Sequence, residues 1–165
     1  EWFGGTVNVT NVVSWNAGDD ALDTDQSWGG TVDNFVIISP GDHNFELDGP
    51  EGSMAAGHIM QNGTVIANTN DQNSSDIINV DDNSIVTLRN IHFMNLEEGQ
   101  IINRVDAPEV IFENITLDVP EEDLANYVVD GNVPSGVTAG GSPQADVSVF
   151  DWTWASKAGA LDGLK

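Results

Sequence analysis

The chain has 165 residues, and 27 acids against 4 bases give a formal net charge of −23. That length suits one domain with a real core, and 18 Val with 12 Ile exclude a disordered acidic tail. The absence of Cys excludes disulfides, and the lack of any Lys or Arg in residues 1–88 excludes a nucleic-acid groove.

In chain order, six segments share one pattern of alternating apolar residues, an Asn or Asp, then apolar residues again. They are Val7-Asn8-Val9-Thr10-Asn11, Thr31-Val32-Asp33-Asn34-Phe35, Ile59-Met60-Gln61-Asn62, Val86-Thr87-Leu88-Arg89-Asn90, Val110-Ile111-Phe112-Glu113-Asn114 and Val147-Ser148-Val149-Phe150-Asp151. The polar anchors are spaced by 23, 28, 28, 24 and 37 residues. The alternation slips at each anchor: Val86 and Leu88 precede Asn90, whereas Ile91 and Phe93 follow it. A period-2 pattern that slips by one contains a bend, and Asn tolerates the left-handed conformation a bend needs.

A further short strand recurs between anchors, at Ala21-Leu22-Asp23, Glu46-Leu47-Asp48, Ile77-Ile78-Asn79, Ile101-Ile102-Asn103 and Val128-Val129-Asp130. These intervals predict an all-β, right-handed parallel β-helix of about six coils over residues 1–154. Each coil would hold three short strands, and coils would stack ~4.8 Å apart. The anchors would form an internal Asn ladder, and Leu22 would stack on Leu47. An antiparallel sandwich with Gly and Asn turns is the alternative.

Asp118-Val119-Pro120 followed by Glu121, Glu122 and Asp123 predicts a short helix near 119–127, capped by Asp118. Gly and Pro make 131–144 a loop, and residues 155–165 a C-terminal cap or tail. The stack needs caps at both ends, and none precedes Trp2. The chain is therefore expected to be the C-terminal part of a longer β-helix. No apolar run approaches the roughly 18 residues of a membrane span.

The stretches EWFGGTVNVTN (1–11), AGDDALDTDQSWGGTVDNF (17–35), FELDGPEG (45–52) and FDWTWASKAGAL (150–161) resemble secreted or surface-exposed parallel β-helix proteins of Bacteroidota-type bacteria, within the pectate-lyase-like superfamily. The resemblance implies an extracellular or bacterial cell-surface location. It supplies no reaction.

Asp19, Asp20, Asp23, Asp25, Glu46 and Asp48, continued by Asp76, Asp81 and Asp82, form an acidic strip in the repeat register. If Leu22 stacks on Leu47, Asp23 and Asp48 become neighbours and repel unless solvated, protonated or bridged. Calcium, which takes six to eight oxygens, is the cofactor such a strip would hold. The same acids also read as solvated turn residues. Gly18-Asp19-Asp20 and Gly57-His58 loosely resemble glycoside hydrolase motifs, but the Gly-His-Gly is incomplete. A lyase needs a basic residue, and outside the tail only Arg89 and Arg104 are available. His43, His58 and His92 read as surface or packing residues.

Trp28, before Gly29-Gly30, is expected in an exposed turn, and with Trp15 it is a candidate sugar-stacking residue. Trp152 and Trp154 are expected to close the core at the C-terminal end. The sequence thus predicts a non-enzymatic extracellular module for adhesion, scaffolding or glycan binding. Polysaccharide or other surface proteins are the expected partners, with no nucleic acid. The alternative is a calcium-assisted polysaccharide lyase or glycoside hydrolase fragment.

Overall fold

The computed structural model describes residues 1–68, 76–81, 83–103 and 109–164. Asp82 and Arg104 lie outside the described residues. Among the described residues ten strands form two wholly parallel sheets, so every neighbour in a sheet comes from a successive turn of the chain. The larger sheet contains β2 (Val9–Trp15), β4 (Thr31–Ile38), β6 (His58–Ile66), β8 (Val86–Met94), β9 (Val110–Leu117) and β10 (Val137–Ala139). The smaller contains β1 (Trp2–Phe3), β3 (Leu22–Asp25), β5 (Phe45–Leu47) and β7 (Asn79–Val80). Single bridges carry the smaller face onward from Ile78 to Ile102 and from Ile102 to Val128. The result is a β-solenoid of about five turns.

Each long strand is two straight runs joined at an Asn. Asn11, Asn34, Asn62, Asn90 and Asn114 all have φ between 51° and 60°, the left-handed region that Asn adopts at low cost. The phase slip follows from that bend. In β8, Val86 and Leu88 point inward before Asn90, and Ile91 and Phe93 point inward after it. The interior is a continuous apolar stack that includes Phe35, Phe45 and Phe93, with Phe45 edge-on to both other rings. Gly63 makes room for Phe35, since a Cβ there would lie 2.2 Å from the ring.

The Asn ladder exists, but it runs along the outer bend. Asn11 and Asn114 are exposed and the three between them half-buried. Asn34 Nδ2 donates to Asn11 Oδ1 at 2.7 Å, Asn90 Nδ2 to Asn62 Oδ1 at 3.1 Å, and Asn114 Nδ2 to Asn90 Oδ1 at 3.0 Å. At the second step Asn62 donates instead to Asp33 Oδ1, at 2.6 Å.

The predicted helix near 119–127 is a 3-10 helix, Glu121–Tyr127, preceded by Pro120 and with no side-chain cap, so Asp118 does not cap it. The sixth expected strand is absent. Val147–Phe150 is a 3-10 helix whose Asp146 side chain accepts from Ser148 N, and α1 (Trp154–Lys157) follows it. Asp151 is therefore not a ladder anchor.

The C-terminal segment does not cover the last turn. It crosses the outer face of the larger sheet towards the first turns. The Gln144 and Ala145 amides donate to Thr64 Oγ1 at 2.9 and 3.0 Å, and the Asp146 amide donates to Asn34 Oδ1 at 2.7 Å. Phe150, Ala155, Leu161 and Leu164 then bury themselves on outward-facing Val36 and Ile38. This second apolar layer explains why both faces of β4 are hydrophobic after Asn34.

Candidate functional site

Alternation on the smaller sheet sends Leu22, Thr24, Phe45, Leu47 and Val80 inward and leaves acids outside. The register pairs Leu22 with Phe45, Asp23 with Glu46, and Thr24 with Leu47. Glu46 in turn pairs with Asn79. Asp23 therefore neighbours Glu46, not Asp48, and Leu22 does not stack on Leu47. The expected register was two residues out. One outward column runs Asp23, Glu46, Asn79. The next positions on the same strands place Asp25, Asp48 and Asp81 in a parallel column.

The loops entering β3 and β5 add the rest. His43 stacks over Asp20: its Nδ1 lies 2.7 Å from Asp20 Oδ1, and its amide donates to the same oxygen at 2.9 Å. Asn79 Nδ2 lies 3.2 Å from His43 Nε2, on the other side of the ring from Asp20. Asp42 Oδ1 is 3.6 Å from Nε2. Donor atoms of Asp20, His43 and Glu46 all lie within 4.8 Å of one another, and so do those of Asp19, Asp20 and Asp42. His43, expected as a surface or packing residue, is thus part of the acidic site. Gly18-Asp19-Asp20 and Gly41-Asp42-His43 are 23 residues apart, the spacing of Asn11 and Asn34, and this repeat is the signal that places them together.

Crowding changes the acids. Burial, then a hydrogen bond to Asp20 and the charges of Asp20, Asp23 and Asp48, push the Glu46 carboxyl up to about 8. Burial and the charge of Glu1 raise Asp23 to about 6. Asp48 is raised by burial and by Asp81, Asp25 and Glu51. Asp76 is raised by burial, although Asn103 donates to it at 2.7 Å and favours its charged form. Like charges this close hold a proton or a cation.

The donor sets fit cations differently. Asp20, His43 and Glu46 offer one nitrogen with carboxylate oxygens, a set for zinc, manganese or a similar divalent ion. The column of Asp25, Asp48 and Asp81, with Glu51 near Asp48, offers oxygen alone, as calcium requires.

The remaining candidates lie elsewhere. Trp28 is 1 % exposed and stacks on Trp2 at 5.3 Å between ring centroids, so it offers no open face for a sugar. Gly30 opens the space: a Cβ there would meet the Trp28 ring at 2.3 Å. Trp15 is half-buried against the C-terminal layer. Trp152 and Trp154, expected in the core, are exposed. His58 and His92 are buried beside Thr24 and Thr116, at 3.2 and 2.9 Å, as packing residues. Arg89 lies on β8, in the other sheet, 3.4 Å from Glu113.

The parallel solenoid and its bent strands define the class as a β-helix. The chain belongs to the pectate-lyase-like beta helix domain family, whose model matches residues 1–152. Comparison with curated proteins found no match, nor did comparison with solved structures.

Proposed function

We propose that the chain is a non-enzymatic extracellular β-helix module that binds a divalent cation on its acidic face and presents the bridged carboxylates to glycan hydroxyls. The observation that supports it is the convergence of Asp20, His43 and Glu46 donor atoms within 4.8 Å, on the outer face of a rigid sheet. A cation there relieves the crowding that otherwise keeps Glu46 protonated. The same closeness speaks against a hydrolase pair. Glycosidase carboxyls stand about 5–9.5 Å apart with the scissile bond or a water between them, whereas carboxylate oxygens of Asp20 and Glu46 lie within 4.8 Å of each other.

The test is thermal melting and calorimetric titration of chelator-dialysed protein with calcium, manganese and zinc in turn. At least one ion should raise the melting temperature, and chelator should reverse the rise. Asp20→Asn and Glu46→Gln should abolish that response, while Glu121→Gln, on the distant 3-10 helix, should retain it. Insensitivity to all three ions would overturn the reading. Calcium-dependent release of unsaturated products from polygalacturonate would replace it with a lyase.

A further inference from the structure

Trp152 and Trp154 are 78 % and 77 % exposed, the two most exposed large apolar side chains among the described residues. They do not sit on a loose end. Phe150 and Ala155, on either side, are 0 % and 6 % exposed and anchored in the second apolar layer. Thr153, between the two Trp, locks the turn. Its amide and hydroxyl both donate to Phe150 O, at 2.9 and 2.8 Å, and its Oγ1 accepts from Ser156 N at 3.2 Å. Two indoles are thus carried on a fixed turn, so little backbone freedom remains to be lost on binding.

The surroundings indicate what they would meet. A cavity of about 430 Å3 lies beside this turn, lined by Ala145, Asp146, Val147, Ser148, Asp151 and Leu164. Trp152 follows Asp151 directly. An indole face offers an apolar surface to the C–H face of a pyranose, and neighbouring carboxylate and hydroxyl oxygens accept from sugar hydroxyls. The chain's charge of −23 repels anionic polymers and second copies of itself. Lys157 is the one base among the described residues of this segment.

We infer that the Trp152–Trp154 turn is a docking platform for an uncharged, pyranose-containing oligosaccharide. It is separate from the acidic face: it lies on the segment covering the larger sheet, whereas the acids line the smaller one. It needs no cation.

The test uses the full chain with cellohexaose, xylohexaose and mannohexaose as probes, followed by tryptophan fluorescence and calorimetry in the presence of chelator. At least one probe should bind. Trp152→Ala and Trp154→Ala should each weaken that binding tenfold or more, with the melting temperature unchanged because neither side chain is packed. Glu121→Gln should leave it unaltered, and the Trp-dependent part of the binding should be the same in chelator and in calcium, which separates this platform from the cation site. Failure of all three probes to bind would overturn the inference. So would undiminished binding by the double Trp variant, or a concentration-dependent dimer in solution that Trp152→Ala dissolves.

Discussion

Asp146 and Asn34, 112 residues apart in the chain, hydrogen-bond twice through one backbone unit: the Asp146 amide donates to Asn34 Oδ1 at 2.7 Å, and Asn34 Nδ2 donates to Asp146 O at 3.2 Å. The same Asn34 holds the bend of β4 with φ of 60° and bonds to Asn11. One side chain thus serves the ladder and the C-terminal segment together.

Asn34→Gly keeps the left-handed backbone but removes the amide. About 1 kcal/mol is expected for each lost hydrogen bond, or roughly 2–3 kcal/mol in all. Denaturant unfolding reads the loss, and limited proteolysis should cut the segment after Gly141 sooner than in the parent. Equal midpoints and equal cutting would mean the paired bonds hold nothing.

At Asn90 two costs separate. The side chain bonds to Asn62 and Asn114, and φ is 51°. Asn90→Gly loses only the bonds, whereas Asn90→Leu also carries left-handed strain of about 1–2 kcal/mol. The Leu variant should therefore unfold at lower denaturant than the Gly variant. An equal midpoint for the two would show that the bend relaxes when its Asn is lost.

Fully buried Asn44 has neither amide atom paired. Extending the register places it in a column with Ala21 and Ile77. Asn44→Leu, with the same number of side-chain heavy atoms, should stabilise by about 1–3 kcal/mol, because an unmet desolvation penalty disappears. A lower melting temperature would instead point to a role for the amide.

The pH dependence has a defined sign. Glu46 rises from 4.5 to about 8 on folding, so the native state binds more protons in that window and stability falls as pH rises through it. Asp23, raised to about 6, acts in the same direction. Buried His58, lowered to about 4, acts oppositely, with stability gained from pH 4 to 6.5. Above 6.5 the Glu46 effect stands clear of both. Cation-free protein should melt lower at pH 8.5 than at pH 6.5, and Glu46→Gln should flatten that slope. A parent whose melting is level across the interval would contradict the assignment.

The bends were legible because a one-residue slip reverses which face is apolar, and the sequence records that at Asn90 and Asn114. The register of the smaller sheet was not. Pairing Leu22 with Leu47 instead of Phe45 shifts it by two, and a two-residue shift leaves inward residues inward. Alternation cannot detect it, so the sequence pattern alone sets Asp23 beside Asp48 rather than beside Glu46. Phe150, Trp152 and Trp154 misled for another reason. Their alternation mimics a strand, but it arises where a 3-10 helix meets α1 and one buried ring precedes two exposed ones. Trp28 beside two glycines resembled a turn, and the glycine proved to be the space that its ring fills.

A stack of coils in which each touches only its neighbours tends to fray from its ends, one layer at a time. The C-terminal segment alters that behaviour. It leaves the last turns, passes over Thr64 and ends against β2 and β4, so its docking surface exists only when several layers are already assembled. Loosening the first turn then exposes the second apolar layer as well. The segment works as a strap that converts a one-dimensional array into a single cooperative unit, and it can close only as a late step of folding.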